Sequence, residues 1–200
     1  MTRIVGIGGK LASGKDAIAD NLVDEWGWTK FGMSDALANA LYTLDPWIPI
    51  PVKRVLRFGT VYTNQKFERY SDLFDRVGYV QAKENEEVRR LLQILGTEVG
   101  RRQFSDGDLW TGIMERKVRD ATAAGAPGVI ITGVRFPNEL AMVENLGGES
   151  WWVNRPSLTN TSSTAGHASE NSVSAVDFDL TIENDGTLED LYYKVADLVT

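Results

Sequence analysis

The chain contains no cysteine, which excludes disulfides, thiolate metal sites and a cysteine nucleophile. A single histidine, His167, leaves no multi-histidine metal site. No apolar run approaches the length that spans a bilayer, and no signal peptide is apparent; a cytoplasmic protein without a membrane partner is expected. Positive charge is also scarce: 21 Lys and Arg stand against 28 Asp and Glu, a net charge of −7. That balance argues against binding duplex nucleic acid, which rewards a basic surface. Any cations that serve an anionic ligand must therefore be concentrated locally. No repeat or heptad run occurs. What remains, 42% apolar and 24% charged residues in a chain of 200, is the composition of one globular domain able to bury a core without staples.

The most informative stretch is Gly9-Lys10-Leu11-Ala12-Ser13-Gly14-Lys15-Asp16. It reads Gly-x4-Gly-Lys, with Asp where Ser or Thr usually follows. Arg3–Ile7 before it is an apolar run suited to a buried parallel strand. Ile18, Ala19, Leu22, Val23 and Trp26 after it recur at helical spacing, so a helix is expected to begin near Gly14. Such a loop lets backbone amides and a helix N-terminus approach a phosphate. Lys10, Ala12, Ser13, Gly14, Lys15 and Asp16 are the nucleotide-binding candidates. Asp16 has two readings. It is a ligand for a Mg²⁺ lying between it and the phosphates, or a cap complementing the helix dipole.

Farther along, Trp28–Met33 reads as a strand and Ser34-Asp35 as a helix N-cap, with Leu37, Ala40, Leu41 and Leu44 buried. Pro46, Pro49 and Pro51 preclude a helix, and Val52–Thr63 reads as an irregular hairpin or a mobile cover. Asp72–Ala82 is expected to be helical through Leu73, Phe74, Val77 and Val80. Glu86–Arg102 is expected to be one continuous helix lined by Val88, Leu91, Leu92, Leu95 and Val99, with Arg89, Gln93 and Thr97 on another stripe. A helix over Asp108–Ala124 would turn Ile113, Val118 and Ala121 inward. Val129–Thr132 is a fully apolar strand, and Arg135 follows at its C-terminal end, where ligands of open α/β sheets bind. A helix over Asn138–Leu146 leads to a strand at Ser150–Val153 and to Arg155. Ser157–Gly166 is polar and aperiodic, either linker or lid. Phe178–Ile182 is the last strand and a helix through Leu188, Leu191, Val195 and Leu198 closes the chain. Strands alternating with helices predict a three-layer α/β domain with a parallel sheet.

Ser-Gly-Lys-Asp in the loop, Arg89–Arg101, Val134-Arg135-Phe136-Pro137-Asn138-Glu139, His167-Ala168-Ser169-Glu170 and Asn184-Asp185-Gly186 resemble the phage-type deoxynucleoside monophosphate kinases. The loop, the arginine after the central strand and the Ile-Glu-Asn turn are also similar to animal-type phosphomevalonate kinases. The resemblance covers nearly the whole chain. It implies the P-loop nucleoside monophosphate kinase fold, a five-stranded parallel sheet ordered 2-3-1-4-5. A single domain over 1–200 would carry a substrate-binding helical insertion at about 34–124 and a lid at about 155–175. It further implies ATP and Mg²⁺, and a small-molecule nucleotide acceptor. Lys15, Arg135 and Arg155 are the implied catalytic residues, and Asp16 the metal ligand. Asn184 would lie near the adenine, although Asn-Asp-Gly is a good turn anywhere. Ser34, Arg89, Gln93, Arg101, Trp110 and Arg135 are the implied acceptor contacts. Capping for Ser34 and a solvated helix face for Arg89 and Gln93 are the alternatives. His167 is assigned no chemistry. One departure stands out: the family's usual Asp before Val-Arg is Gly133 here. Host cytoplasm is implied if the gene is a phage's, and a homodimer is one state open to it. The alternatives are a phosphomevalonate kinase-like small-molecule kinase and a nucleotide-binding switch that hydrolyses slowly.

Overall fold

The computed structural model describes residues 2–55, 61–100, 108–157 and 172–200, with the side chains of 53–55 and 61–64 set aside. Two compact units emerge: Met1–Ser34 with Trp110–Thr200, and Asp35–Leu109.

The first unit is built on five parallel strands: β1 (Arg3–Gly9), β2 (Thr29–Gly32), β5 (Gly128–Thr132), β6 (Glu149–Asn154) and β7 (Leu180–Glu183). They lie in the order β2-β5-β1-β6-β7, which is 2-3-1-4-5 among the parallel strands, as expected. Alternation along the strands gives the sheet two apolar faces. Val5, Ile7, Ile130, Trp151 and Val153 pack with Ile18, Ala19 and Leu22 of α1 (Lys15–Trp26) and with Leu191 and Val195 of α7 (Leu188–Val199). Ile4, Val129 and Ile131 face the other way, toward Met114 and Val118 of α5 (Leu109–Ala123) and Met142 and Val143 of α6 (Pro137–Asn145). The result is three layers, helix, sheet, helix. In α5 the buried set is Trp110, Thr111, Met114 and Val118; Val118 and Ala121 face the core as expected, while Ile113 is exposed and Met114 is buried in its stead. Trp26 is likewise exposed at the end of α1.

The second unit starts with α2 (Asp35–Leu44), which buries Ala38 and Leu41 and leaves Leu44 exposed beside the break at Asp45. The proline-rich segment is a regular antiparallel hairpin, β3 (Trp47–Val55) paired with β4 (Val61–Arg69). Prolines are tolerated there because Pro49 and Pro51 are two apart, so neither has to donate across the ladder. The Pro49 carbonyl points away from β4 and accepts from Asn85 Nδ2 at 2.9 Å.

Helix α3 (Tyr70–Ala82) is kinked at Gly78, whose φ of 77° and ψ of 165° break the helical path. The kink rotates the end of the helix, so Val80 is exposed and Ala82 buried, against the continuous pattern expected. Helix α4 runs only over Glu86–Gln93, and a π-helical turn continues it over Ile94–Val99. The single helix expected to reach Arg102 is therefore interrupted. Gly96 lies in the wide turn, and a side chain there would come within 3.1 Å of Leu37 Cδ2. The extra residue in that turn also takes Thr97 off the stripe of Arg89 and Gln93. Tyr70, Leu73, Val88 and Leu92 join Leu41 and Ile48 in a separate core. No described helix is long and apolar enough to cross a membrane.

Candidate active site

The Gly9–Asp16 loop leaves the C-terminal end of β1 with positive φ at three positions, beginning with Gly9 at 139°. Ala12 has a φ of 59° and Gly14 one of 110°, both in the left-handed region. Ser13 N donates to Lys10 O at 3.2 Å, closing the turn. Ile18 N then bonds Gly14 O at 3.0 Å, which starts α1. The loop is a nest of backbone amides at a helix N-terminus, the arrangement that suits a phosphate. Lys10, Leu11 and Ala12 are exposed, whereas Ser13 and Lys15 are buried. Lys15 Nζ reaches back over the loop and donates to Lys10 O at 2.6 Å. Ser13 Oγ is enclosed with no hydrogen-bond partner among the described residues.

Two other strand ends, those of β6 and β7, bring side chains onto the loop, and the end of β5 runs beside β1. At β6, Arg155 Nη1 donates to Ala12 O at 3.4 Å from an exposed position. At β7, Asn184 is buried and its Nδ2 donates to Ser13 O at 2.8 Å. At β5, Gly133 N and Val134 N both donate to Ile7 O, at 3.1 and 3.2 Å, which keeps the chain against β1 as Arg135 begins. Glu139 then fixes the corner. Its buried Oε2 accepts from Arg135 N at 2.7 Å and Phe136 N at 3.2 Å. The Arg135 guanidinium forms no ion pair among the described residues.

Asp16 is exposed in the first turn of α1 and lies 3.4 Å from Lys30 Nζ, which also bonds Asp20 at 2.8 Å. Burial would lower the Lys30 ammonium, but its hydrogen bond to Asp20 and the charge of Asp16 hold it above the usual lysine range. Asp16 and Asp20, four apart, share a stripe that the sequence displays; Lys30 as their common partner is a long-range fact it does not. No group of three acidic or histidine side chains that could hold a metal occurs among the described residues. A single carboxylate is nevertheless enough for Mg²⁺, which takes one or two protein carboxylates and completes its shell with phosphate oxygens and water. Gly133 has a φ of 79° with open space around its α-carbon, so the family aspartate would fit there but under backbone strain.

The remaining candidates lie on other elements. Ser34 is half-buried in the turn before α2, and Trp110 is buried at the start of α5. Arg89 and Gln93 share the exposed face of α4 in the second unit. Arg101 and His167 lie outside the described residues, as does most of the expected lid at 155–175. Helix α5, within the expected insertion of 34–124, packs Met114 and Val118 into the core of the sheet.

The family model for deoxynucleotide monophosphate kinase matches residues 35–195, most of the chain. The chain belongs to that family. The matched region contains Arg135, Arg155 and Asn184 and stops short of the phosphate loop. The chain is 30% identical to the deoxynucleotide monophosphate kinase of Escherichia phage RB69 over 112 residues. That match takes in 56% of this kinase-family chain and 44% of the phage protein, less than half its length. The putative deoxynucleotide monophosphate kinase of Acanthamoeba polyphaga mimivirus is 25% identical over 206 residues, covering 98% of this chain and 95% of that one. Among solved structures, a dephospho-CoA kinase from Campylobacter jejuni superposes with a TM-score of 0.47 at 13% identity, covering 100% of this chain and 96% of that one.

Proposed function

We propose that the protein transfers the γ-phosphoryl group of ATP to a deoxynucleoside monophosphate, releasing ADP and a deoxynucleoside diphosphate. The observation that carries this reading is the phosphate loop itself. Its amides, Lys15 and the flanking Arg135 and Arg155 gather at the C-terminal ends of parallel strands in a chain whose overall charge is negative. Cations gathered at one edge of an acidic protein serve a polyanion held there.

In this reading the amides of Lys10–Lys15 cradle the donor phosphates, and Lys15 swings from Lys10 O onto the β- and γ-phosphates. Arg155 moves from Ala12 O to the transferring phosphoryl, and Arg135, its corner braced by Glu139, takes the acceptor phosphate. An oxygen of the acceptor phosphate attacks the γ-phosphorus in line as the bond to the β,γ-bridging oxygen breaks, and the electrons leave with ADP. No covalent enzyme intermediate is required, since phosphoryl transfer is accelerated by positioning and charge neutralisation. Asp16 would hold Mg²⁺, which neutralises phosphate charge when bound. Ser34, Arg89, Gln93, Arg101 and Trp110 remain proposed acceptor contacts, on the strength of the family resemblance.

The test is ADP release measured with each deoxynucleoside monophosphate, each ribonucleoside monophosphate and phosphomevalonate. Release is expected to require a nucleoside monophosphate and to favour the deoxy form. Release with phosphomevalonate alone, or at one rate with every acceptor and with none, would overturn the assignment.

A further inference from the structure

Asn184 occupies an unusual place for a side chain at a nucleotide site: its amide is bonded to the protein itself. Nδ2 donates to Ser13 O across 171 residues of sequence, inside the fold. The partner at the other end of the bond is the peptide that joins Ser13 to Gly14. That peptide is planar and trans, so its carbonyl and its N–H point in opposite directions. Holding the Ser13 carbonyl toward Asn184 therefore turns the Gly14 N–H the other way.

The fit is close on every side. A β-carbon at Gly14 would lie 2.7 Å from Asn184 Nδ2 and 3.2 Å from Leu191 Cδ2, so glycine here admits the amide as well as the positive φ. Asn184 is itself anchored. Its backbone N donates to Asn154 O at 2.7 Å, tying it to β6. Lys194 of α7 bonds Glu183 O and Asp185 Oδ1, each at 2.7 Å, and so holds the residues on both sides. That second bond also holds the Asp185 carboxyl below its usual range.

We propose that Asn184 is a positioning residue of the phosphate loop, setting the Ser13–Gly14 peptide so that the Gly14 amide faces the bound phosphate. Removing the donor leaves a buried carbonyl unsatisfied and frees that peptide to rotate. The inference rests on the phosphoryl-transfer reading only in taking the loop's ligand to be a polyphosphate. It differs from a contact between the Asn184 turn and the adenine, and the difference is measurable.

The experiment is equilibrium binding of ATP and of inorganic triphosphate to the full chain, for wild type, Asn184→Ala and Asn184→Asp, with thermal melting alongside. Asn184→Asp keeps the shape but has no donor; Asn184→Ala serves if the buried carboxylate prevents folding. A variant that melts near wild type is expected to bind both ligands more weakly, by about tenfold and by a similar factor. A loss confined to ATP would mean that Asn184 contacts the base, and unchanged binding of both would mean that the bond does nothing for the loop. Either result overturns the proposal. Failure of every acceptor to be phosphorylated, with the paired loss of binding intact, would instead sink the kinase reading and leave the brace standing.

Discussion

Asp16 sits beside a loop built for anions, and Lys30 supplies the compensation that lets a carboxylate stay there. The lysine is shared with Asp20 and stands 3.4 Å from Asp16, so the pairing is partial. A hard cation arriving with the phosphates competes for the same carboxylate oxygens. Asp16→Asn keeps an oxygen of similar reach and loses the charge. We expect the Mg²⁺ concentration for half-maximal activity to rise by at least about tenfold, the scale on which even outer partners of a metal act. Overlapping Mg²⁺ curves for variant and wild type would show that Asp16 merely complements the helix dipole. Gly133→Asp in that background is expected to recover part of the loss at a stability cost of about 1–2 kcal/mol, because its φ of 79° lies in the left-handed region. The loop residues themselves were legible, since their spacing is a motif with a mechanism. The partners that hold them were not. Asn184 to Ser13 and Lys30 to Asp16 are contacts across the fold, and no local pattern encodes them.

At the scale of elements, legibility depends on how local the cause is. The apolar run Val129–Thr132 is of the kind expected for a buried parallel strand, and it is one. The rotations of α3 and α4 come from single residues that break the pattern from inside: the positive φ of Gly78 and the π turn around Gly96. Windowed periodicity averages over such points, which is why Val80 and Thr97 fall on other faces than the spacing implies. The hairpin shows the opposite case. Its prolines conceal a strand whose pairing becomes evident only with β4 beside it. Where α2 ends and β3 begins, Asp45 adopts a φ of 47° and ties the corner to α3: Oδ1 accepts from Ser71 N at 2.9 Å and Oδ2 from Arg69 Nε at 2.8 Å. The Ser71 amide, then Arg69, holds the Asp45 carboxyl below its ordinary range despite some opposing burial. A depressed carboxyl contributes stability above its unfolded value, about 3.9, and loses it as the pH falls through the folded value. Asp45→Asn tolerates the same backbone and removes the charge. Urea midpoints of wild type and Asp45→Asn are expected to differ at neutral pH and to converge in acid. A difference that persists unchanged below the folded value would show that shape, not charge, holds the corner.

For the whole molecule, two kinds of information support the proposed activity. The phosphate loop, in residues that the family model leaves out, reports the donor side by general physical chemistry. The matched region from 35 to 195 reports the family. Sheet order 2-3-1-4-5 came from resemblance rather than from any strand's own pattern, since parallel neighbours far apart in sequence carry no register signal. The consequence is physical: β5, β6 and β7 join β1 in one sheet, Arg155 and Asn184 reach the loop from two strand ends, and Arg135 follows a third. In the proposed reading, an acidic chain thereby concentrates cations where the nucleotide phosphates are to be held. The measurement that tests this most directly tracks the γ-labelled phosphoryl group of ATP into a deoxynucleoside diphosphate, with wild type and Lys15→Ala compared at matched fold by thermal melting. The account predicts labelled diphosphate with wild type and a turnover lower by about 10²–10³ in the variant, the loss expected when one group that stabilises transition-state charge is removed. Label that appears only as inorganic phosphate, or equal turnover by the folded variant, would contradict it.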